Sequence, residues 1–433
     1  PITLSDPATI MGDTALATQM FNGVFIATCL SSAFGSLLMG LYANVPFALA
    51  PGMGLNAFFA YTIMLGMGYS YGQTLAITFI SGILFIVITI VGFREAIVES
   101  IPKNIKLAIA SGIGLFLGLL GFKNAGIVVA NPNTLVSLPD FSKFTDPEFA
   151  PAIFGSIVAL IGLIVICVLY SKNVKGAIII GILVSTVIGI PLGITQIPDS
   201  FSINFAQQFS DFTDVSLFAF GDGLIDLFKG KNLIDSVIQI AILVISFSIV
   251  DMFDSIGSLL GTAKKANLLD ADGNMRGMKK ALMCDAVATS VGAMLGTSTV
   301  TVFVESSAGI GEGGRTGLSS VFTSAFFILA LIFAPIVGII PAAATAPALI
   351  FVGVLMVMSS IKEIDFENIK EAVPAFFTIA LMPLTFSIAN GIAFGIITYT
   401  LIRVLSFDFK GLRLGTIGLT ILFLVKYFII TAG

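Results

Sequence analysis

The amino-acid sequence predicts an all-α polytopic membrane protein. Of its 433 residues, 57% are hydrophobic and 11% are charged, whereas about 25% of the residues in a soluble domain are charged. Residues 14–93 and 316–361 contain no Asp, Glu, Lys or Arg. Because a helix needs about 20 apolar residues to cross a lipid bilayer, the first stretch alone holds about three crossings.

Composition also limits the chemistry that the chain can perform. The net charge is −4 and there is no histidine, so we expect no nucleic-acid partner and no histidine-based proton transfer. Cys29, Cys167 and Cys284 fall in apolar segments and suggest neither disulfides nor a metal cluster. We expect no cofactor, no bound metal and no enzymatic activity.

Apolar runs bounded by charges, prolines or glycines predict thirteen spans. The second span is interrupted by prolines and glycines from Pro46 to Gly54, and the ninth is short and begins with β-branched residues, so neither should be an uninterrupted helix. In chain order the predicted spans are 14–41, 44–67, 71–93, 103–122, 150–171, 174–192, 233–263, 278–296, 297–311, 314–340, 344–360, 372–404 and 414–431.

The distribution of lysine and arginine predicts the orientation of these spans. One set of loops carries thirteen basic residues and should be cytoplasmic: Arg94, Lys103, Lys106, Lys172, Lys175, Lys264, Lys265, Arg276, Lys279, Lys280, Arg315, Lys362 and Lys370. The other set carries seven and should be external: Lys123, Lys143, Lys229, Lys231, Arg403, Lys410 and Arg413. Three predicted spans then precede Arg94, the first cytoplasmic charge, and this places residue 1 on the external side of the membrane. The sequence has no signal-peptide pattern that would account for this position. We therefore expect one more span before residue 1, and fourteen in all.

Two interrupted segments at corresponding places suggest a repeat of seven spans. Residues 28–61 have the pattern of a small-residue helix, a short strand at 44–50 and a glycine- and alanine-rich short helix. Residues 282–315 have the same order, with the strand at 297–304. Short interrupted segments in corresponding places of two halves are the best sequence indication of a transporter's binding site.

The seventh span carries two acids near its middle. Asp251 and Asp254 share one polar helix face with serines and a threonine at three- and four-residue spacing. They lie about 20 Å and 15 Å from Lys264 along the helix, near the centre of a hydrocarbon core of about 30 Å. Each ionisable group there costs about 2.5–3.5 kcal/mol. We therefore expect both to face a cavity, a partner or a substrate; a stripe that only joins helices is the alternative.

A third acid, Glu305, follows the β-branched run of the ninth span. That run predicts a short strand, and glycines follow it, so Glu305 should stand between a strand and a half-helix. Non-helical backbone at this depth must be buried in protein or line a cavity. In the matching segment, Asn56 offers both a donor and an acceptor where the two broken segments should cross; a helix-packing role is the alternative for Asn56.

Other polar and glycine residues predict structural roles. Asp285 lies only five residues after Lys280, so we expect it to be shallow and to pair with a base or cap a neighbour. Gly112, Gly114 and Gly118 should form a close-packing helix face rather than a phosphate-binding loop.

Four runs of this sequence resemble the AzgA-like purine permeases of the nucleobase–ascorbate transporter superfamily. They are NVPFALAPGMGLNAFFAYT (44–62), VDMFDSIGSLLGTAKKANLLDADG (250–273), GTSTVTVFVESSAGIGEGGRTGL (296–318) and LMPLTFSIANGIAFG (381–395). The resemblance covers nearly the whole chain. It implies fourteen spans in a 7+7 inverted repeat and a homodimer. It also implies a core domain at 1–102 and 233–340, a gate domain at 103–192 and 341–433, and an external loop at 193–232.

The resemblance further implies uptake of adenine, guanine or hypoxanthine together with protons. Carried over by position, its binding residues are Asn56, Asp251 or Asp254, and Glu305. Some superfamily members have a histidine near the acid of this helix. This chain has none, so that part of their proton path does not transfer. The separate roles of Asp251 and Asp254 stay open.

A purine has a flat apolar face and an edge of N–H donors and N or O acceptors. Glu305 could accept N–H bonds from one edge, since charge-assisted hydrogen bonds are about twice as strong as neutral ones. Burial and mutual repulsion favour the protonated form of at least one of Asp251 and Asp254. The candidate proton-coupling residues are therefore Asp251, Asp254 and Glu305. The candidate substrate-binding residues are Asn56, Asp251, Asp254, Glu305, the stacking candidates Phe47 and Phe303, and Ala50, Thr299 and Ser306 beside backbone N–H groups.

Other functions remain as alternatives. The site could carry another small heterocycle such as uracil or xanthine, or the same fold could exchange anions. An anion exchanger should present a basic group or bare half-helix N-termini, and the acids at this site disfavour it. A channel has no need of paired midplane acids, and an intramembrane hydrolase would need a nucleophile–base pair that the sequence does not offer.

Overall fold

The computed structural model describes residues 4–5, 7–8, 12–52, 55–56, 58–146, 149–197, 205–229, 233–270, 272–332, 339–409 and 411–430. Within these residues, seven helices are long and apolar enough to cross a membrane, and three shorter apolar helices accompany them. The all-α polytopic class predicted from composition is confirmed.

The first half of the chain consists of α1 (Thr14–Leu38), β1 (Leu49–Pro51), a π-helical segment (Phe58–Gly66), α2 (Tyr71–Ile90), α3 (Phe93–Ser100), α4 (Lys103–Asn124), the strands β2 (Val129–Asn131) and β3 (Leu135–Ser137), α5 (Ala150–Ser171) and α6 (Ala177–Gly189). Two short helices, α7 (Phe205–Asp211) and α8 (Ala219–Asp226), lie in the loop predicted to be external.

The second half consists of α9 (Leu233–Lys265), α10 (Met278–Leu295), β4 (Val300–Val302), α11 (Ser306–Gly311), α12 (Gly317–Ile332), α13 (Ala342–Ser360), α14 (Ile369–Leu384), α15 (Ile388–Leu405) and α16 (Leu414–Val425). The last helix continues as a π-helical turn over Lys426–Ile430.

The strands predicted at 44–50 and 297–304 are present only as the shorter β1 and β4, and these two pair with each other. β1 and β4 are antiparallel, with Ala50 opposite Thr301. Each is only three residues long because the chain turns out of the strand at once: Gly52 follows β1, and α11 begins four residues after β4. The second pair, β2 and β3, was not predicted. The turn between β2 and β3 is stabilised by the Asn131 side-chain oxygen. This oxygen accepts hydrogen bonds from the backbone N–H groups of Asn133 and Thr134, at 2.9 and 3.3 Å.

Helix packing follows the predicted inverted repeat. α1 packs on α12, and correspondingly α10 packs on α2. β1 packs on α1, and β4 packs on α10. α4 packs on α14, α13 packs on α5, and α4 and α13 pack on each other. The repeat predicted from two poorly similar segments is therefore present in the structure.

The predicted close-packing face of α4 is also present. A Cβ atom added at Gly112 would lie 2.6 Å from the Met382 sulfur, and one added at Gly114 would lie 2.6 Å from the Gly353 carbonyl oxygen of α13. At Gly118 nothing lies within 4 Å. Two of the three glycines thus permit close helix contact.

The prediction of one span over 372–404 is wrong, because two helices, α14 and α15, occupy this region. Pro383 lies in the last turn of α14, Phe386 takes a left-handed backbone conformation (φ +54°), and the Ser387 hydroxyl accepts a hydrogen bond from the Asn390 N–H to cap α15. The chain therefore turns back between the two helices.

Because the chain turns back here, two arginines lie on the opposite side of the membrane from the one predicted. Arg403 donates to Glu371 at 2.5 Å, and Arg413 donates to the backbone oxygen of Glu99 at 2.5 Å. Both arginines thus lie with the loops predicted to be cytoplasmic, and their assignment to the external set is wrong. Lys410 lies outside the described residues. The correction strengthens the charge asymmetry on which the predicted orientation rests.

Candidate substrate site

A small cavity lies where the two broken segments meet α9. Its volume is about 80 Å³. The broken segments and α9 supply most of its wall, and α4 and the turn between α14 and α15 supply the rest. The lining residues are Gly52, Leu55, Phe116, Val250, Asp254, Ser258, Thr301, Val302, Phe303, Val304, Glu305, Phe386, Ser387 and Ile388.

Two carboxyl groups line this cavity, Asp254 from α9 and Glu305 from the turn after β4. Both side chains are partly buried. The Oε2 atom of Glu305 has no hydrogen-bond partner among the described residues. A Cβ at Gly52 would lie 3.6 Å from the Asp254 Oδ2 atom, so the glycine keeps the first broken segment close to this acid. The predicted convergence of α9 and the two broken segments is present.

Asp251 lies one turn from Asp254 but in different surroundings. It is 0% exposed, and neither carboxyl oxygen has a hydrogen-bond partner among the described residues. It is not among the residues that line the cavity. The two acids of the predicted stripe are therefore separated, one at the cavity and one sealed from it.

A buried ion pair lies beside α9, where the Ser255 hydroxyl contacts it. Arg94 donates to Asp285 at 2.9 Å, and both side chains are 0% exposed. The prediction that Asp285 pairs with a base is confirmed, but the prediction that it is shallow is wrong. Arg94, counted among loop charges, is also buried. The guanidinium stacks on Phe85 at 4.7 Å and donates to the backbone oxygen of Leu282 at 3.3 Å, contacts that stabilise a charge away from water.

Hydrogen bonds connect this ion pair to the cavity wall. The Ser255 hydroxyl donates to Asp285 Oδ1 at 3.1 Å and lies 2.8 Å from the Thr301 hydroxyl. Since a serine hydroxyl has one hydrogen, Thr301 must be the donor to Ser255. Thr301 lies in β4 and lines the cavity.

Asn56 joins the two broken segments, as its predicted position required. Its side-chain oxygen accepts a hydrogen bond from the Ser298 hydroxyl, and its backbone N–H donates to the Gly52 oxygen at 2.9 Å. It is not among the described residues that line the cavity. In the structure Asn56 therefore fixes the crossing of the segments.

The remaining predicted residues fall into three groups. Phe303 lines the cavity and is partly buried. Ala50 pairs with Thr301, and the Ser306 hydroxyl accepts the Ala48 N–H at 2.9 Å, so these positions hold the strands together. Two others are sealed from solvent: the Thr299 hydroxyl has no partner among the described residues, and Phe47 is 0% exposed within the hydrophobic core.

Comparison with known proteins agrees with this architecture. The model of a family described as the Permease family matches residues 6–394. The chain belongs to this permease family. A permease of Methanocaldococcus jannaschii is 42% identical over 410 residues, which are 94% of this chain and 87% of the relative. The adenine permease AdeQ of Escherichia coli strain K12 is 37% identical, over 94% of this chain and 86% of the relative.

A third relative extends the comparison. The guanine/hypoxanthine permease PbuO of Bacillus subtilis strain 168 is 36% identical, over 95% of this chain and 90% of the relative. The resemblance to the AzgA-like purine permeases is thus confirmed. The permease is a multi-pass membrane transporter and not an enzyme.

Several cavity residues of the permease escaped prediction, most clearly Phe116 and Phe386. Their rings meet edge to face with centroids 5.3 Å apart, and the Lys123 ammonium lies 5.1 Å from the centroid of Phe386. The left-handed Phe386 and the capping Ser387 were not predicted, because the apolar run over 372–404 favours one continuous span. Pro383 followed by the capping residue Ser387 was the sequence signal that could have predicted a break between two helices. Nothing in the apolar sequence of α4 distinguishes Phe116 from its neighbours.

Proposed function

We propose that the permease takes up a purine nucleobase, adenine or guanine and hypoxanthine, together with protons and by alternating access. The observation that carries this proposal is the pair of carboxyl groups, Asp254 and Glu305, on the wall of a small and mostly apolar cavity between two broken segments. An apolar pocket with a few convergent polar groups is the usual form of a small-molecule site.

The chemistry of a purine suits these groups. Its N–H donors can bond to the carboxyl oxygens of Asp254 and Glu305, and bonds to a charged acceptor are about twice as strong as neutral ones. Its flat face can stack on Phe303, which lines the cavity. Phe47 packs in the core, so we assign it a supporting role. Backbone N–H groups near Ala50, Thr299 and Ser306 remain candidates for the ring acceptors, as does the side-chain amide of Asn56.

Alternating access would move a core domain against a gate domain. We propose residues 1–102 and 233–340 as the core and residues 103–192 and 341–433 as the gate, with 193–232 as an external loop. The core would carry the acids and both broken segments. The gate would bring Phe116 and Phe386 to the cavity. A homodimer is proposed from the family alone.

The choice among purines rests on related proteins. One relative bears the name adenine permease and another guanine/hypoxanthine permease. Exchange of an amino group for an oxo group reverses the hydrogen-bonding edge of the ring. A carboxyl group can serve either edge, because it accepts when ionised and also donates when protonated. We therefore propose the purine class and leave the preferred base to experiment.

Transport by the purified chain in proteoliposomes tests this proposal. We expect saturable uptake of radiolabelled adenine or guanine that stops when an uncoupler removes the proton gradient. In a competition assay, unlabelled adenine, guanine and hypoxanthine are each added to reduce this uptake. Unlabelled uracil and xanthine are added in the same way for comparison. Uptake of uracil or xanthine in preference to adenine, guanine and hypoxanthine would assign another heterocycle. Exchange of bicarbonate or chloride without purine uptake would favour the anion exchanger.

A further inference from the structure

A second cavity lies at the end of the permease that is predicted to be cytoplasmic. Its volume is about 530 Å³, within the range of roughly 300–1,000 Å³ that is usual for small-molecule sites. Residues from the end of α3, from the start of α10 and from the π-helical turn Met39–Ala43 that follows α1 line it. None of its lining residues lines the cavity of Asp254 and Glu305, so the proposed function leaves it unexplained.

Positive charge predominates on the wall of this second cavity. Lys279 and Lys280, in the first turn of α10, line it and are exposed. Among the described lining residues, Glu99 at the end of α3 is the one acid. Because two lysines face one carboxylate, the wall carries a net positive charge and suits an anion.

Asn274 adds a hydrogen-bond donor to the same wall. Its side-chain oxygen accepts a hydrogen bond from the Lys106 ammonium at 2.5 Å. An ammonium group only donates, so this contact fixes the orientation of the amide and leaves its nitrogen as the free end. That nitrogen makes no hydrogen bond to any residue in the described part of the chain. Asn274 and the two lysines therefore offer N–H donors to the oxygen atoms of a phosphate group.

The rest of the wall is apolar, which a soluble anion does not require. Val98, Met278 and Met283 line the cavity beside the lysines. The Tyr42 ring also lines it and is 51% exposed, and the Lys280 ammonium lies 5.6 Å from the ring centroid. Tyrosine is enriched at the level of the lipid headgroups, because its ring is apolar and its hydroxyl is polar. The wall thus combines the two kinds of surface that a phospholipid offers to a protein.

An exposed apolar stripe runs along α1 from this cavity toward the middle of the membrane. Phe34, Leu37 and Leu41 are 41%, 39% and 70% exposed, and their three- and four-residue spacing places them on one face. Leu41 precedes Tyr42 in the π-helical turn. Since exposed apolar side chains on a spanning helix face the acyl chains of the lipid, the cavity lies at the edge of the lipid-facing surface.

We propose that this cavity binds an anionic phospholipid, with the phosphate held by Lys279, Lys280 and Asn274 and the acyl chains lying on the α1 stripe. A basic pocket between spanning helices on the cytoplasmic side is a known form of site for anionic headgroups. A free phosphate would use the lysines but leave Tyr42 and the methionines without contacts. Lipid binding is measured without any transported solute, so its failure is distinguishable from failure of the proposed function.

Tryptophan fluorescence provides the test, because the chain contains no tryptophan. Tyr42→Trp places a single fluorophore at the cavity and keeps an aromatic ring beside Lys280, and tryptophan is the strongest aromatic partner for a cation. The full chain is reconstituted in phosphatidylcholine vesicles. A nitroxide quencher near the top of one acyl chain is carried either by phosphatidylglycerol or by phosphatidylcholine. Quenching at increasing amounts of labelled lipid gives the relative affinity of the two lipids for this position.

We expect phosphatidylglycerol to be preferred at this position by roughly fivefold to thirtyfold, because one basic residue near an anionic membrane surface is worth about fivefold. Ile90→Trp is the matched control. Ile90 is 61% exposed at the end of α2, on the side predicted to be cytoplasmic, and does not line the cavity, so it should show no preference. Equal quenching by the two lipids in Tyr42→Trp, or the same preference at both positions, would overturn the proposal.

The two lysines are tested in the Tyr42→Trp chain. Lys279→Gln/Lys280→Gln should reduce the preference to less than about twofold. Lys172→Gln/Lys175→Gln removes the same charge from exposed positions in another loop predicted to be cytoplasmic and should leave the preference unchanged. Equal losses in the two double variants would show that overall surface charge attracts the lipid and would overturn the site. Displacement of the labelled lipid by millimolar glycerol phosphate would identify a soluble anion as the ligand and overturn it as well.

A second measurement covers the case in which the tryptophan variant does not fold, as judged by size-exclusion chromatography. A ligand that binds only the folded protein raises its Tm. Short-chain phosphatidylglycerol added to the otherwise unmodified protein in detergent should raise the Tm more than phosphatidylcholine of the same chain length does. This difference should disappear in Lys279→Gln/Lys280→Gln. An equal difference in the unmodified protein and the double variant would exclude the lysines as the binding groups.

Discussion

Arg94 and Asp285 are 191 residues apart in the chain, yet their side chains lie 2.9 Å apart and are 0% exposed. The pair fastens the start of α3 to α10, and α10 packs on both α1 and α2. Taking both charges out of the solvent is costly, and their mutual attraction offsets this only with good geometry and further hydrogen bonds. The bond from Ser255 to Asp285 and the bond from Arg94 to Leu282 supply these.

Removing one partner of this ion pair should destabilise the protein strongly. Arg94→Met leaves Asp285 buried without a cation, and breaking a buried pair in this way costs roughly 3–5 kcal/mol. The double variant Arg94→Met/Asp285→Leu removes both charges and should be more stable than the single variant. A thiol-reactive dye can follow unfolding, because Cys29 and Cys284 are buried and Cys167 is exposed; replacing Cys167 with serine removes the background signal. A double variant less stable than Arg94→Met would contradict this account.

The two cavity acids should be indispensable for transport. Asp254→Asn and Glu305→Gln each remove a carboxylate that lines the cavity, so we expect purine uptake to fall to the background level while the amount of folded protein in the membrane is unchanged. Glu367→Gln, at an exposed acid, is the control and should transport normally. Near-normal uptake by both cavity variants, measured with radiolabelled purine in proteoliposomes, would remove these acids from the site.

The parts of the site that the sequence predicted are those with a local signal. The β-branched run at 297–304 and the prolines around residue 50 disfavour a helix wherever they occur, so both broken segments were predicted. The polar stripe on α9 follows from helical spacing alone. The depth of Asp285 was not predictable in this way, because it depends on Arg94, which arrives from a distant part of the chain. The contribution of Phe116 likewise depends on how α4 packs against the broken segments.

Stacking on Phe303 should contribute to purine affinity. Base stacking on an aromatic side chain is worth about 1–3 kcal/mol per base, so Phe303→Ala should raise the KM for purine by roughly thirtyfold at the middle of that range. Phe376→Ala removes a ring that is 62% exposed on the outer surface of α14 and is the control. Concentration-dependent uptake gives both KM values. An unchanged KM for Phe303→Ala would show that the ring does not stack on the base.

Close contact between α4 and α13 predicts different outcomes for two glycines on one helix. A Cβ at Gly114 would lie 2.6 Å from the Gly353 carbonyl oxygen, so Gly114→Ala must push the helices apart. Gly118→Ala meets nothing within 4 Å and gains helix propensity worth up to about 1 kcal/mol. Thermal unfolding should therefore show a lower Tm for Gly114→Ala and an equal or higher Tm for Gly118→Ala. Equal losses in the two variants would contradict close packing as the cause.

Several polar contacts join the proposed core and gate domains on the side predicted to be cytoplasmic. Lys264 at the end of α9 pairs with Glu363 at 2.6 Å. Lys106 on α4 donates to Asn274 at 2.5 Å, and Glu312 accepts the Gly176 N–H at 3.1 Å. Each contact is weak by itself, since partly exposed pairs contribute about 0–1 kcal/mol. Alternating access requires them to separate when the cavity opens to this side.

Locking one of these contacts should therefore stop transport. In a background without native cysteines, Lys264→Cys/Glu363→Cys joined by a cleavable thiol cross-linker should lose purine uptake, and cleavage of the linker should restore it. Lys370→Cys/Asp408→Cys is the matched control, because Lys370 and Asp408 pair at 2.9 Å wholly within the proposed gate domain. Its cross-link leaves the two domains free to move, so uptake should continue. Equal inhibition by both cross-links would show that the linker acts within a domain, and undiminished uptake with the Lys264–Glu363 pair locked would rule out the proposed motion.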